Sequence, residues 1–337
     1  MTLGKKERSP LGFLFPLARF LVVSALWIAR RHARERYDLI HVHNVPDFLV
    51  FAAAYPKLTG ARVILDIHDI VPEFYGNKFG IGENSRIVFL LKWMERVSAR
   101  VADHVIISND LWLQKYAVRT GTTDKCSVFI NNVDADIFHP RPRTRHNDKT
   151  ILLFPGGLQK HQGLDIAIAA FCKISEELPN SEFHIYGDGS MKETWIDLCD
   201  NLGLGDKVRF FDPVPVRQIA DVMANANLGI VPKRADSFGN EAYSTKIMEF
   251  MSLGIPVVAS STRIDRYYFD DSMVCFFKSG DPAGLAEAVL RVVRDEPYRQ
   301  QLVARASEYA AQHTWQSRRA AYLQLVDSLC AGSRKRN

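Results

Sequence analysis

With 337 residues, 47% of them hydrophobic and 24% charged, the chain has the composition of a folded protein and length for two α/β domains rather than one. Its five cysteines (Cys126, Cys172, Cys199, Cys275, Cys330) are odd in number, scattered and without Cys-x-x-Cys or Cys/His ligand spacing. That argues against a disulfide framework or a zinc site and for a reducing, cytoplasmic setting. The net charge of +5 is concentrated in residues 1–36, where eight Lys or Arg face two acids, so the remainder is close to neutral and no nucleic-acid partner is expected.

In that first segment Lys5, Lys6, Glu7 and Arg8 precede an apolar run, 11–29, whose Phe13, Phe15, Phe20 and Trp27 suit a bilayer surface. Arg19 and Pro16 interrupt the run, no small-residue cleavage site precedes Arg30, and a central Arg is costly in a membrane span. The run therefore reads as a helix that packs on its own domain or lies peripherally on an anionic membrane face, ahead of a span or a signal peptide. From Tyr37 onward short β-branched or apolar runs alternate with longer helical stretches, the rhythm of parallel sheets with crossover helices. Strands are expected at 39–42, 62–66, 104–107 and 127–130, then at 151–154, 182–186, 207–211, 228–231, 256–259 and 273–276. The polar, proline-bearing stretch 138–149, which includes His146, has no apolar periodicity and reads as a linker. This gives a first domain over 1–145, a second over 150–315 and a C-terminal helix and tail over 316–337. The fold class is α/β, with two Rossmann-like doubly wound domains. The first shows about four strands against six and lacks a Gly-rich first turn, so its front is expected to be missing.

The segment from Ser237 to Ser260 is the most informative. It sets Glu241 just before an expected helix and Glu249 eight residues later, with Gly254 and Pro256 ending that helix before a buried strand. Two carboxylates about two turns apart share one helix face and, at the carboxyl ends of strands, could accept from two hydroxyl-rich parts of one ligand. Solvated helix glutamates at this spacing are common, so the surrounding phrase matters.

That phrase, Glu241, seven residues, Glu249, then Gly254 to Ser260, resembles the signature of glycosyltransferase family 4. Asn132 to Pro140, Tyr186-Gly187-Asp188-Gly189 and Ala226 to Pro232 are similar to further family segments in the family's order, and the similarity runs from Asp38 to Leu329. The resemblance implies the two-domain GT-B fold and retaining hexosyl transfer from a nucleotide diphosphate sugar, with no cofactor and no metal. The acceptor would be a glycan or a lipid-linked acceptor in envelope polysaccharide synthesis. It implies that Glu241 contacts the donor sugar and Glu249 the ribose. Backbone N–H groups from Phe238 through Gly239 and Asn240 to Ala242 would face the sugar and diphosphate. Thr245 and Lys246 follow one turn in; Lys246 could neutralise phosphate, and an exposed helix lysine is the other reading. Gly187 and Gly189 belong to the glycine turn beside the nucleotide. At the end of an expected N-terminal strand, His68 resembles the histidine that touches the sugar, and Asp69 follows it as in related sequences. His43 and Asn44, ending an earlier strand with His41 nearby, could face the acceptor, although satisfied structural histidines are the simpler reading.

Two departures stand out. In the loop that carries Gly156, Gly157, Lys160, His161 and Gly163, relatives have an arginine where Gly157 stands and a lysine where Gln162 stands, and these stabilise the leaving diphosphate. Lys160 or His161 is the expected substitute. The second departure is the absent Gly-rich N-terminal loop. Together they keep open a non-catalytic GT-B binding subunit. A sugar-nucleotide epimerase also remains open, whereas a nicotinamide oxidoreductase lacks its G-x-G-x-x-G turn.

Overall fold

A computed structural model describes residues 10–79, 81–82, 84–145 and 147–334. Lys5, Lys6, Glu7, Arg8 and His146 lie outside the described residues, as do the side chains of Phe13 and Phe15. In chain order the regular elements are α1 (Pro10–Glu35), β1 (Leu39–His43), α2 (Ala54–Leu58), β2 (Arg62–Ile67), α3 (Val71–Phe79), α4 (Arg86–Val101), β3 (His104–Ile107), α5 (Asp110–Thr120) and β4 (Cys126–Val128). There follow β5 (Thr150–Pro155), α6 (Leu164–Glu177), β6 (Ser181–Tyr186), α7 (Lys192–Asn201), β7 (Val208–Phe211), α8 (Val216–Ala224) and β8 (Leu228–Val231). The last are α9 (Thr245–Ser252), β9 (Val257–Ser260), α10 (Arg263–Tyr268), β10 (Cys275–Phe277), α11 (Pro282–Arg294), α12 (Glu296–Gln312) and α13 (Trp315–Arg334).

The chain divides into two compact units, Met1–Ile130 with Ala320–Asn337, and Asn131–Arg319. The division falls before the stretch 138–149 rather than inside it, because Val133 and Phe138 are buried in the second unit's core. The end of α13 returns to the first unit instead of standing as a separate tail.

In unit 1 four parallel strands run in the order β1-β2-β3-β4. Each crossover steps the same way, so right-handed connections put the crossover helices on one face. Ser85 caps α4 and Asn109 caps α5, each accepting from a backbone N–H of the first turn, and Gly121 closes α5 in the left-handed region. The inner stripe of α1 (Leu17, Leu21, Ser24, Ile28) is part-buried, and buried His32 bonds Thr59 at 2.8 Å. Its other face leaves Phe20, Val23, Leu26 and Trp27 exposed. Among the described residues no helix is long and apolar enough to cross a membrane.

Unit 2 is doubly wound: its sheet reads β10-β9-β8-β5-β6-β7, all parallel, with the winding direction reversing between β5 and β8. Alternate residues of β5 feed opposite cores, Leu152 and Phe154 packing with α6 and α11, Leu153 with α8 and α9. Such a switch point leaves a crevice outside the carboxyl ends of the central strands.

Candidate active site

That crevice is present in unit 2. A cavity of about 480 Å³ is walled by Pro155, Gly156 and Gly157 at the end of β5, by Tyr186, Gly187 and Asp188 at the end of β6, by the turn before α8, and by Thr245, Lys246 and Glu249 of α9. A hollow of about 580 Å³ elsewhere in the unit sits at the amino ends of β5, β8 and β9 and contains no carboxylate, so we assign the site to the carboxyl ends. The loops after β5 and β6 are zipped together: Gly156 N–H donates to the Tyr186 carbonyl at 2.8 Å, and Leu158 N–H to that of Asp188 at 2.9 Å. This closeness requires Gly187, at φ 156°, since a Cβ there would strike the Gly156 carbonyl. Gly163, at φ 69°, opens α6 against the Pro232 carbonyl under the same constraint. Gly189 lies against the backbone of Leu158, outside the cavity wall.

Lys246 reaches back from α9, its Nζ donating to Gln162 Oε1 at 2.8 Å and standing 5.2 Å from the Phe154 ring centroid. Burial brings its pKa down to about 8. Burial raises that of Glu249 one turn away, against the pull of Lys246 and of a hydrogen bond from Thr245. The ammonium thus stands beside Gln162, one of the two positions where the sequence departs from the family pattern. Of the expected substitutes, Lys160 is exposed, and His161 bonds Gln162 Nε2 at 3.0 Å while packing edge-on against Phe238.

The loop with Glu241 differs from expectation. Helix α9 starts at Thr245, so Glu241 lies in a turn and the two glutamates do not share a helix face. Nor do the expected N–H groups face a ligand. Asp236 Oδ1 accepts from Phe238 N at 3.1 Å and Gly239 N at 2.7 Å, its carbonyl accepts from Asn240 N, and the Phe238 carbonyl accepts from Glu241 and Ala242. A polar side chain in a short loop competes for N–H groups in this way. Asn240 is likewise engaged, with the Ala235 carbonyl and Arg263 N. Buried Lys233 anchors the loop's far end, its Nζ 2.9 Å from Asp265 Oδ2 and 2.7 Å from the Ala242 carbonyl. Neither Lys233 nor Asp265 was singled out by sequence reasoning; a lysine two residues past a buried strand was the available signal.

In unit 1 the ends of β1 and β2 gather His43, Asn44, His68 and Asp69. Asn44 is buried and acts as a staple, its Oδ1 accepting from His68 N at 2.8 Å and its Nδ2 donating to the Asp69 carbonyl and Asp47 Oδ1. Its amide is used by the protein, which replaces the expected acceptor role with a structural one. Burial pushes the Asp69 carboxyl up to about 6. His43 and His68 meet at 2.9 Å, both beside Asp66, a residue that spacing alone did not single out.

Comparison with known proteins follows the same division. The family described as "Glycosyl transferases group 1" matches residues 137–309, and "Glycosyl transferase 4-like domain" matches 6–131. The chain belongs to the group 1 glycosyl transferases. Among curated relatives of this transferase, the D-inositol 3-phosphate glycosyltransferase of Corynebacterium diphtheriae is 30% identical over 172 residues, 49% of this chain and 39% of the relative. The match thus spans well under half of that relative's length. Sucrose-phosphate synthase from Thermosynechococcus elongatus is similar in structure, with a TM-score of 0.75 and 18% identity over 98% of this transferase and 82% of that chain. HepE from Anabaena, solved in complex with UDP-glucose, gives 0.71 and 18% over 95% and 84%. These likenesses show the GT-B fold, and the family places the chain among the transferases.

Proposed function

We propose that the chain transfers a hexosyl group, with retention, from a nucleotide diphosphate sugar to a glycan or lipid-linked acceptor, in cell-envelope polysaccharide synthesis. The observation that carries this is that Lys246 and Glu249, both half-buried, line one cavity at the carboxyl ends of the strands of unit 2. In this reading Glu249 accepts from the ribose hydroxyls. Lys246 and the amino end of α9 hold the diphosphate and stabilise it as it leaves, so no cofactor is assigned there. The ammonium beside Gln162 supplies one of the two cations the sequence lacks, which favours an active enzyme over a degenerate binding subunit. Glu241 contacts the sugar in this reading. Because HepE and other proteins of this fold were solved with UDP or UDP-sugar, uridine diphosphate is the first nucleotide to test.

Calorimetric titration of the full chain with UDP should show binding that Glu249→Gln weakens by about tenfold, the loss of one hydrogen bond to a charged group. Glu241→Gln should retain UDP affinity and lose transfer from the UDP-sugar, with the wild-type product keeping the donor's anomeric configuration by NMR. UDP affinity unchanged in Glu249→Gln would refute the assignment of the site, and an inverted product would refute retention. The exposed apolar face of α1, followed by Arg30, Arg31 and Arg34, supports a peripheral position on an anionic membrane surface.

A further inference from the structure

We propose that His41, His43, Asp66 and His68 bind a divalent transition-metal ion, with zinc as the reference ion, at the carboxyl ends of β1 and β2. The placement follows from strand geometry. Side chains two apart on a strand leave the same face, and β1 pairs with β2 in the register His43 opposite Asp66. A His-x-His pair and an Asp-x-His pair on neighbouring parallel strands therefore converge, His68 lying one residue beyond β2.

The ligand atoms of His41, His43 and Asp66 lie within 4.8 Å of one another, close to a coordination shell, and His68 stands beside His43 and Asp66 as the fourth candidate. Asp66 Oδ2 is 3.2 Å from His41 Nε2, 3.1 Å from His43 Nδ1 and 3.5 Å from His68 Nε2, and those last two nitrogens are 2.9 Å apart. A tetrahedral ion with bonds of about 2.0–2.1 Å separates its ligand atoms by about 3.3 Å. Among the described residues, His41, His43 and Asp66 are the one group of His, Cys, Asp or Glu whose ligand atoms cluster in this way. The environment also supplies an outer contact: His41 Nδ1 meets Tyr322 Oη at 2.8 Å, the kind of bond that fixes the tautomer of a ligating histidine and leaves Nε2 for the ion. The rings of His41 and His43 stack at 4.4 Å and those of His43 and His68 at 5.2 Å, so their in-plane lone pairs must turn inward on capture. His43, the middle ring, has its side chain 60% exposed and room to turn, while Asp66, at 13%, is the fixed point. Three imidazoles and one carboxylate select zinc, cobalt or nickel over magnesium or calcium, which want oxygen.

The proposal does not rest on the donor reading, since UDP binding reports on unit 2. The full chain, carrying no histidine tag and stripped with a chelator, is titrated with Zn2+ against a chromogenic competitor, and with Co2+ followed by visible absorption. We expect one ion per chain, a tetrahedral Co2+ spectrum and a Tm raised by Zn2+. His43→Ala and Asp66→Asn should each weaken Zn2+ binding at least tenfold and abolish the Tm rise. His43→Ala changes a largely exposed side chain and decides the matter even if Asp66→Asn does not fold, with circular dichroism confirming its structure. Absence of stoichiometric Zn2+ uptake by the wild type, or equal affinity in folded His43→Ala, would show a cluster held by hydrogen bonds alone and overturn the site.

Discussion

An ammonium held beside Gln162 Oε1 and over the Phe154 ring gives up its proton more readily than a solvated lysine, and burial sets Lys246 at about 8. Below that pH the group is charged and attracts a diphosphate; above it the charge is lost before the nucleotide arrives. UDP affinity of the wild type is therefore expected to fall as pH rises through about 8, whereas Lys246→Met should bind about 10–100-fold more weakly at pH 7 and show no break there, as a charged hydrogen bond contributes about 1.5–3 kcal/mol. Calorimetry between pH 6.5 and 9.5 checks both, and a wild-type profile parallel to that of the variant would count against Lys246. The residue identity was legible in the sequence, as was Glu249. The partnership of Lys246 with Gln162 was not, because 84 residues separate them and only the approach of α9 to the loop after β5 brings them together. Asp236 was invisible for the opposite reason: its effect is local, but whether a short loop turns its N–H groups outward or onto its own side chain is decided by geometry that composition does not encode.

At the scale of elements, all ten strands were readable to within two residues at either end, because parallel strands covered on both faces are nearly continuous apolar runs such as 151–154 and 228–231. Side-chain ties between helices were not readable, and the firmest of these joins α3, α4 and α5. Arg119 on α5 meets Glu95 of α4 through Nε and Nη2, both at 2.6 Å, and Glu73 of α3 through Nη1 at 2.8 Å. The Glu95 side chain has no exposure at all, so removing its partner leaves a carboxylate in the interior with nothing to balance it. Arg119→Met is expected to destabilise unit 1 by about 3–5 kcal/mol in urea unfolding. Combining it with Glu95→Leu should recover much of that loss, because the unpaired charge goes with it, although Glu73 and Lys115 still face each other at 2.9 Å. If the double variant is no more stable than the single, the loss comes from packing around the three helices and not from the stranded charge.

For the molecule as a whole, charge distribution bears most on where it works. Residues 1–36 hold net +6 on a chain of +5, and on α1 the basic residues share the outer face with Phe20, Val23, Leu26 and Trp27, each more than half exposed. Arg31 lies 5.4 Å from the Trp27 ring, so charge and apolar surface meet at one place. Either component alone binds a bilayer weakly; together, about 1 kcal/mol per basic residue near an anionic surface adds to the burial of the apolar side chains. We expect the full chain to float with vesicles containing phosphatidylglycerol and not with phosphatidylcholine alone, and to be released as salt shortens the reach of the arginines. Phe20→Ser with Trp27→Ser should lower flotation on anionic vesicles several-fold while leaving UDP affinity unchanged, since neither residue lines the cavity of unit 2. Equal flotation on neutral and anionic vesicles would show that the basic residues play no part, and flotation indifferent to the two serine substitutions would place the contact away from α1.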